Sequence, residues 1–339
     1  TVEYKFLGTL PSAYDSYNAY SYKFTDTISQ GLTYNASSLE VYLVHTDNGS
    51  DYYYPIPNTH YTALASSTGG PTNFTLEFTD IKAITRDNTD RIAVYYTCTL
   101  NKNAVVGNPG NPNEVYLTFS NNPNDSGTAG TAPTTPSGGT SGEPGSPNGP
   151  TTPNSPVTPG SGSTLPTTPS TGNTPSFKAI VYTYKLTVNK EDDKGNALNG
   201  ATFKLQKWNA ALSTPAYEDV KVDSNGKIDA TNGTANIDGT SSSVFNWIGL
   251  DDGKYKLIEV TAPNGYNKMA DIEFIIDATH DATGITALAV KDTSGNALTS
   301  FAATASTGAI ETTIANLPGT TLPETGGIGT TPFYVGGAV

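Results

Sequence analysis

Hydrophobic and polar residues alternate in short runs along residues 1–125. Val41–Val44, Phe74–Phe78, Ile92–Tyr96 and Val115–Phe119 each have the composition and spacing of a buried or half-buried strand. Clusters of Asn, Asp, Gly and Pro separate these runs about every ten residues, which is typical of turns. No stretch shows a long helical period. The pattern therefore predicts a β-sandwich.

The same alternation returns between residues 177 and 318. Ile180–Val188 predicts an opening strand, and further runs predict strands at Ala201–Leu205, Gly253–Val260, Ile272–Ile276 and Glu311–Asn316. A second, smaller sandwich follows from this spacing. The predicted fold class is all-β, with two sandwich domains at 1–125 and 177–318.

The segment 126–176 between them has a different composition. It holds eleven of the 23 prolines, no aromatic residue and a single charged residue, Glu143. Such a segment buries too little apolar surface to offset the entropy of ordering. We expect a disordered, extended linker rich in Pro, Thr, Ser and Gly.

Composition and charge exclude several classes of function. The chain has 339 residues, with 18 Lys and Arg against 31 Asp and Glu, so its net charge is −13. This acidity and the absence of a basic run predict no nucleic-acid partner. Cys98 is the single cysteine, and His45, His60 and His280 lie far apart. We expect neither an internal disulfide, a metal site nor a cofactor.

The residues near the two ends of the sequence carry further expectations. No signal-peptide pattern follows Thr1, so we interpret the chain as mature or trimmed. Thr331–Val339 is interpreted as the start of a truncated membrane anchor, because it is shorter than the roughly 20 residues that span a bilayer. Residues 319–339 together form the predicted sorting region.

A five-residue motif in that region is the most specific signal of the sequence. Leu322, Pro323, Glu324, Thr325 and Gly326 resemble the LPxTG cell-wall sorting signal of Gram-positive surface proteins. The resemblance implies that a sortase cysteine attacks the Thr325 carbonyl and expels Gly326 as an amine. The alternative is a chance string of Thr, Pro and Gly.

The second domain is similar to the collagen-adhesin B-type domain, on the segments Val188–Leu205 and Phe245–Tyr266. The resemblance implies an isopeptide bond between Lys190 and Asn316, assisted by a buried Glu259. Strand phase agrees, because each of these residues shares a face with apolar neighbours on its own strand. Burial favours the neutral, nucleophilic form of a lysine. The alternative is a partly buried Lys190–Glu259 salt bridge with Asn316 in a turn.

The first domain resembles the fimbrial isopeptide-forming domain of major pilins, on Tyr20–Tyr34 and Asn111–Pro123. The resemblance implies an acid at Asp26 and an acceptor at Asn121, with Asn122 the less favoured neighbour. The corresponding lysine is expected before the first strand. Lys5 alternates away from Tyr4 and Phe6 and is a weak substitute, so we expect no crosslink in this domain of the chain as given.

These resemblances imply immunoglobulin-like or prealbumin-like sandwiches and the function of a backbone subunit in a sortase-assembled pilus. Its partners would be sortase, neighbouring pilin subunits and peptidoglycan, and it would be secreted and covalently attached to the cell wall. It is expected to be no enzyme beyond its own crosslinking. The alternative is a wall-anchored adhesin that binds a host glycan or matrix protein, for which Tyr52–Tyr54 is one candidate patch. A wall-bound glycosidase is a third class, but no pair of catalytic carboxylates is evident.

Overall fold

The computed structural model describes residues 1–125, 127–134, 139–146 and 149–319. The sorting motif Leu322–Gly326 and the apolar run Thr331–Val339 lie outside these residues. The chain divides into two compact units. The first domain comprises Thr1–Val105 and Pro109–Val181, and the second comprises Val106–Asn108 and the chain from Tyr182 onward. Within the described residues, no helix has the length and hydropathy required to cross a membrane.

The first domain is built from ten strands and three short 3₁₀ helices among its described residues. The strands are β1 (Val2–Thr9), β2 (Tyr22–Ile28), β3 (Leu32–Asp47), β4 (Ser50–Pro55), β5 (Tyr61–Ser66), β6 (Thr72–Phe78), β7 (Arg91–Leu100), β8 (Asn111–Ser120), β9 (Thr171–Asn173) and β10 (Phe177–Val181). The 3₁₀ helices are Tyr14–Ser16, Asn58–His60 and Ile81–Ala83.

These strands form two antiparallel sheets around an aromatic core. One sheet has the order β1-β7-β3-β4, and the other has the order β10-β8-β2-β6-β5, with β9 also paired to β8. The ring of Tyr96 lies near the middle of the core, with centroids 5.3 Å from Tyr4, 5.3 Å from Tyr34 and 5.7 Å from Phe74. Large aromatic side chains therefore supply much of the buried apolar surface.

The second domain also consists of two sheets. Its strands are β11 (Tyr184–Asp192), β12 (Thr202–Asn209), β13 (Ala216–Asp219), β14 (Asn236–Asp238), β15 (Val244–Leu250), β16 (Gly253–Thr261), β17 (Ile272–Asp281), β18 (Gly284–Lys291), β19 (Phe301–Thr304) and β20 (Ala309–Asn316). The sheet orders are β15-β11-β20-β19 and β13-β12-β16-β17-β18, with β14 paired to β12. The β11–β20 pair is parallel, whereas the other strand pairs described in this domain are antiparallel. The predicted all-β fold is thus confirmed.

The border between the domains differs from the expected one. Residues 177–181 were assigned to the second domain by sequence, but they form β10, whose residues pair with β8 from Phe177–Val115 to Val181–Asn111. The short strand β9 pairs with Ser120 and its neighbours in the same way. Backbone pairing to a sheet edge therefore places the end of the expected linker, and the strand after it, in the first domain.

The remaining described residues of the expected linker, 127–134, 139–146 and 149–170, are called the strap, and they contact the first domain. The Lys5 ammonium donates to the Glu143 carboxylate at 2.6 Å. The Asn154 side chain donates to the Tyr53 carbonyl at 3.0 Å, and Val157 packs into the core with 2% exposure. Composition reflects only the apolar surface of the segment itself. It misses the partners that a neighbouring sandwich supplies.

Shortening the buried strap residue provides a test of this docking. Val157→Ala should lower the free energy of unfolding of the first domain by roughly 1–3 kcal/mol, because a buried apolar group is lost and a cavity remains. Denaturant unfolding of the full chain measures this loss. Digestion by a protease of broad specificity should also become faster within the strap.

The control is Val105→Ala, at a first-domain valine with 38% exposure. A Val157→Ala protein with the stability and cleavage rate of the unaltered chain would show that the strap is not held by this contact.

Candidate crosslinking sites

Strand alternation buries three polar side chains in the second domain. On β11 the residues Leu186, Val188 and Lys190 face the core, and on β20 Ile314 and Asn316 do so. These strands are neighbours, with Lys190 opposite Ile314 and Asn316 two residues further along. Glu259 belongs to β16 in the facing sheet and is also buried. The exposed fractions are 1% for Lys190, 0% for Glu259 and 2% for Asn316.

Hydrogen bonds join two of these side chains directly. The Nδ2 atom of Asn316 donates to Oε1 of Glu259 at 2.7 Å. The other carboxylate oxygen, Oε2, accepts the backbone N–H of Met269 at 2.7 Å. Within the described part of the chain, Oδ1 of Asn316 is buried without a hydrogen-bond partner. An unsatisfied buried carbonyl is unfavourable by about 1–3 kcal/mol, so this amide is held in a destabilised state.

The lysine is positioned by backbone carbonyls. Its Nζ atom donates to the carbonyl oxygen of Glu191 at 2.7 Å and to that of Ile314 at 3.3 Å. Burial lowers the pKa of Lys190, against the opposing attraction of the Glu259 carboxylate. A depressed pKa increases the fraction of neutral amine, which is the nucleophilic form.

The alternative of a Lys190–Glu259 salt bridge is not formed among the described residues, where Nζ of Lys190 donates to two backbone carbonyls. Both carboxylate oxygens of Glu259 accept hydrogen bonds, one from Asn316 and one from Met269. Asn316 is the last residue of β20 and is buried, so it does not lie in a turn.

A comparable set of buried polar groups lies in the first domain, around Asp26. The hydroxyl of Tyr96 donates to Oδ2 of Asp26 at 2.5 Å and accepts from Nδ2 of Asn113 at 2.5 Å. Among the described residues, Oδ1 of Asp26 and Oδ1 of Asn113 have no hydrogen-bond partner. Burial raises the pKa of Asp26 from its ordinary value of 3.8 to about 7, with hydrogen bonds from Tyr96 and Asn113 opposing the shift.

The expected acceptor in this domain, Asn121, requires correction. Asn121 lies one residue beyond the end of β8 and is exposed, and its backbone N–H donates to the carbonyl of Ser170 at 3.1 Å. Asp26 lies opposite Val115 in the β2–β8 ladder, and Asn113 is two residues from Val115 on the same face. Asn113 and Asn121 have the same strand phase, so only the register distinguishes them.

Two further side chains of the first domain, those of Lys5 and Tyr96, differ in their relation to this site. Lys5 is exposed and pairs with Glu143, as expected for a residue that alternates away from the core. The hydroxyl of Tyr96, which joins the acid to the amide, was not anticipated. Its strand phase predicts burial, but nothing in the sequence shows where a buried hydroxyl points.

Across the described residues, there is no cluster of three or more His, Cys, Asp or Glu side chains that could hold a metal ion.

Both domains match known protein families. Residues 1–123 match the family described as Gram-positive pilin backbone subunit 2, Cna-B-like domain. Residues 184–293 match the SpaA prealbumin-like fold domain. These matches confirm the predicted resemblance to pilin domains. No curated protein sequence matches the chain.

Solved structures of major pilins share the fold. The group B streptococcus pilus 2b backbone protein has 19% identity and a TM-score of 0.52, over 95% of this chain and 94% of that chain. A 35 kDa C-terminal fragment of the Streptococcus agalactiae major pilin GBS80 has 18% identity and a TM-score of 0.52, over 93% of each chain. The Corynebacterium diphtheriae major pilin SpaA has 13% identity and a TM-score of 0.51, over 93% of this chain and 63% of that chain.

The pKa of Asp26 leads to a testable pH dependence. Because its pKa is higher in the folded state, the folded chain retains a proton that the unfolded chain releases between about pH 4 and pH 7. The contribution of Asp26 to the free energy of unfolding, on the order of 4 kcal/mol, is therefore fully present below about pH 4. It is lost as the pH rises towards 7. Asp26→Asn should remove this slope, as measured by denaturant unfolding of the full chain across the pH range.

The matched control is Asp15→Asn, at an exposed acid of the same domain. If Asp26→Asn and the unaltered chain lose stability equally between pH 4 and pH 7, the buried carboxyl does not titrate as described.

Proposed function

We propose that this chain, whose residues 1–123 are homologous to backbone pilin subunits of Gram-positive bacteria, is a structural subunit of a pilus shaft. Its second domain would be locked by an isopeptide bond between Lys190 and Asn316. The observation that carries this proposal is the 2.7 Å hydrogen bond between Asn316 and Glu259 in a fully buried site, with Lys190 buried on the strand that pairs with that of Asn316. The chain would be a substrate of an enzyme and would perform no turnover beyond its own crosslinking.

The crosslinking step follows from the chemistry of the three side chains. The neutral amine of Lys190 attacks Cγ of Asn316, so the Nζ–Cγ bond forms and the Cγ–Nδ2 bond breaks. Glu259 accepts the proton released from Nζ and transfers it to Nδ2, which departs as ammonia. The hydrogen bond from Nδ2 to Oε1 places the acid at the leaving nitrogen. The product is an amide that a thiol reductant does not cleave.

The first domain contains an acid and an acceptor of the same kind. Asp26 would act as the acid and Asn113 as the acceptor, with Tyr96 between them. Lys5 is occupied on the surface by Glu143. Lys5 would therefore not supply the amine of a crosslink in this domain.

The sorting motif Leu322–Gly326 is the proposed point of attachment. A sortase would form a thioester with Thr325 and pass it to an amine of a neighbouring subunit or of peptidoglycan. The protein would then be exposed on the cell surface and covalently attached to the wall.

The second-domain crosslink predicts a mass below that of the sequence. The intact chain should be lighter by one ammonia, about 17 Da, because one condensation releases one ammonia. Peptide mapping should recover a branched peptide that contains Lys190 and Asn316. Glu259→Ala should restore the full mass. Its free energy of unfolding should be lower by roughly 4–5 kcal/mol, the value for covalently closing a loop of about 100 residues, as measured by denaturant unfolding.

Glu273→Ala is the control, because Glu273 pairs with Lys254 and Lys256 at the protein surface. It should keep the mass deficit. An unaltered chain that is folded but has the full sequence mass would exclude this crosslink.

Attachment through the sorting motif is tested by a single substitution. Thr325→Ala should abolish covalent incorporation of the chain by a sortase, since it replaces the residue whose carbonyl the enzyme attacks. Gel mobility after incubation with sortase and an amine acceptor measures the product. Thr321→Ala, one residue before the motif, should react normally, and equal reaction of both variants would refute the assignment of Thr325.

A further inference from the structure

An open cleft lies at one end of the first-domain sandwich, where the two sheets separate. It has a volume of about 390 Å³ and is lined by the start of β3, the turn between β5 and β6 and the loop after β7. This volume falls within the range of about 300–1,000 Å³ that is typical of small-molecule sites. None of Asp26, Tyr96 and Asn113 lines the cleft, so it is a different site from the polar groups around Asp26.

The lining of this cleft carries no charge. Its side-chain polar groups are amides and hydroxyls, from Gln30, Thr33, Ser67, Thr72, Asn101 and Asn103. A site for an anion or a cation requires an opposite charge or a converging set of ligands. The net charge of −13 for the whole chain further disfavours acidic ligands.

One aromatic ring provides a flat apolar surface in the cleft. Tyr34 packs on Phe74 at a centroid distance of 4.9 Å and on Tyr96 at 5.3 Å, so the core fixes its position. Tyr34 is partly exposed and lines the cleft. Burial raises the pKa of Tyr34 to about 12, so its hydroxyl stays neutral and both donates and accepts hydrogen bonds.

The polar rim is already ordered. The Asn101 side chain donates to the Gln30 carbonyl and to the Thr33 hydroxyl, both at 3.0 Å, and accepts the backbone N–H of Asn103 at 2.8 Å. In the described part of the chain, the side-chain amides of Gln30 and Asn103 and the hydroxyl of Tyr34 make no hydrogen bond to the protein. Asn101 therefore fixes the backbone that carries Gln30 and Asn103, while their side-chain amides remain available to a ligand rich in hydroxyl groups.

We propose that this cleft binds a neutral saccharide unit. The ring of Tyr34 would stack against the apolar face of a pyranose, while Gln30 and Asn103 would hydrogen-bond to its hydroxyls. An open cleft of this size supports weak binding, with a Kd on the order of 1 mM per site. In a polymeric shaft, as proposed above, many copies would act together and raise the apparent affinity. The patch Tyr52–Tyr54 is unsuited to this role, because Tyr53 and Tyr54 are buried.

The chain offers a substitution that fills the cleft without disturbing the fold. Gly70 lines the cleft, has no backbone conformation restricted to glycine, and faces open space at the position of a Cβ atom. Gly70→Trp should therefore fold normally and place an indole at the lining of the cleft. Thr68→Trp is the matched control, because Thr68 belongs to the same turn but does not line the cleft.

The experiment uses the full chain on a glycan array that carries neutral, sialylated and sulfated glycans of mammalian and bacterial type. Saturation-transfer NMR then measures binding of the methyl glycosides of the recognised sugars. We expect neutral glycans to bind, Gly70→Trp and Asn103→Ala to weaken that binding at least tenfold, and Thr68→Trp to leave it unchanged. The circular dichroism spectra of all variants should match that of the unaltered chain.

Three results would overturn the proposal. The first is that no neutral glycan binds on the array and no methyl glycoside binds at about 10 mM. The second is binding confined to sialylated or sulfated glycans. The third is binding of a neutral glycan that Gly70→Trp leaves intact. Full sequence mass in the unaltered chain would overturn only the crosslink, so the two proposals fail independently.

Discussion

The hydrogen bond between Asn316 and Glu259 is the constraint on which the second domain depends. It holds a carboxylate and a carboxamide together between two sheets, within reach of apolar neighbours and away from water. Polar groups in such a place are stable only when they are satisfied or neutralised. Among the described residues the amide oxygen of Asn316 has no hydrogen-bond partner, and Lys190 on the paired strand has a lowered pKa because it is buried. The same groups that are unfavourable as separate side chains are suited to condense into one amide.

The two domains arrange an acid and an asparagine differently. In the second domain the carboxylate accepts directly from the amide of Asn316. In the first domain the hydroxyl of Tyr96 lies between Asp26 and Asn113 and contacts both at 2.5 Å. The Tyr96 hydroxyl therefore fixes the position of the Asp26 carboxyl relative to the Asn113 amide. The tyrosine is also a central member of the aromatic core, which ties the geometry of the polar groups to the packing around them.

Strand phase accounts for most of what the sequence predicted. A period of two determines which residues of a strand face the core. It agrees with Lys190, Glu259 and Asn316, the residues that the family resemblance implies, because each follows a buried residue two positions earlier on its strand. Phase does not determine which residues lie opposite each other. Asn113 and Asn121 share one phase, and only the pairing of Asp26 with Val115 selects the first. The docked strap was missed for a related reason, because its partners Lys5, Tyr53 and Asp80 are distant in sequence.

The parallel pairing of β11 and β20 has a consequence for a fibre under tension. These strands open and close the described strands of the second domain, and they lie side by side in one direction. A pull on the two ends of the domain therefore acts along the strands and loads all hydrogen bonds of the pair together. With Lys190 joined to Asn316, the force would pass from one strand to the other through a single covalent link. The chain between those two residues would then carry no load, and its folding would be independent of the pull.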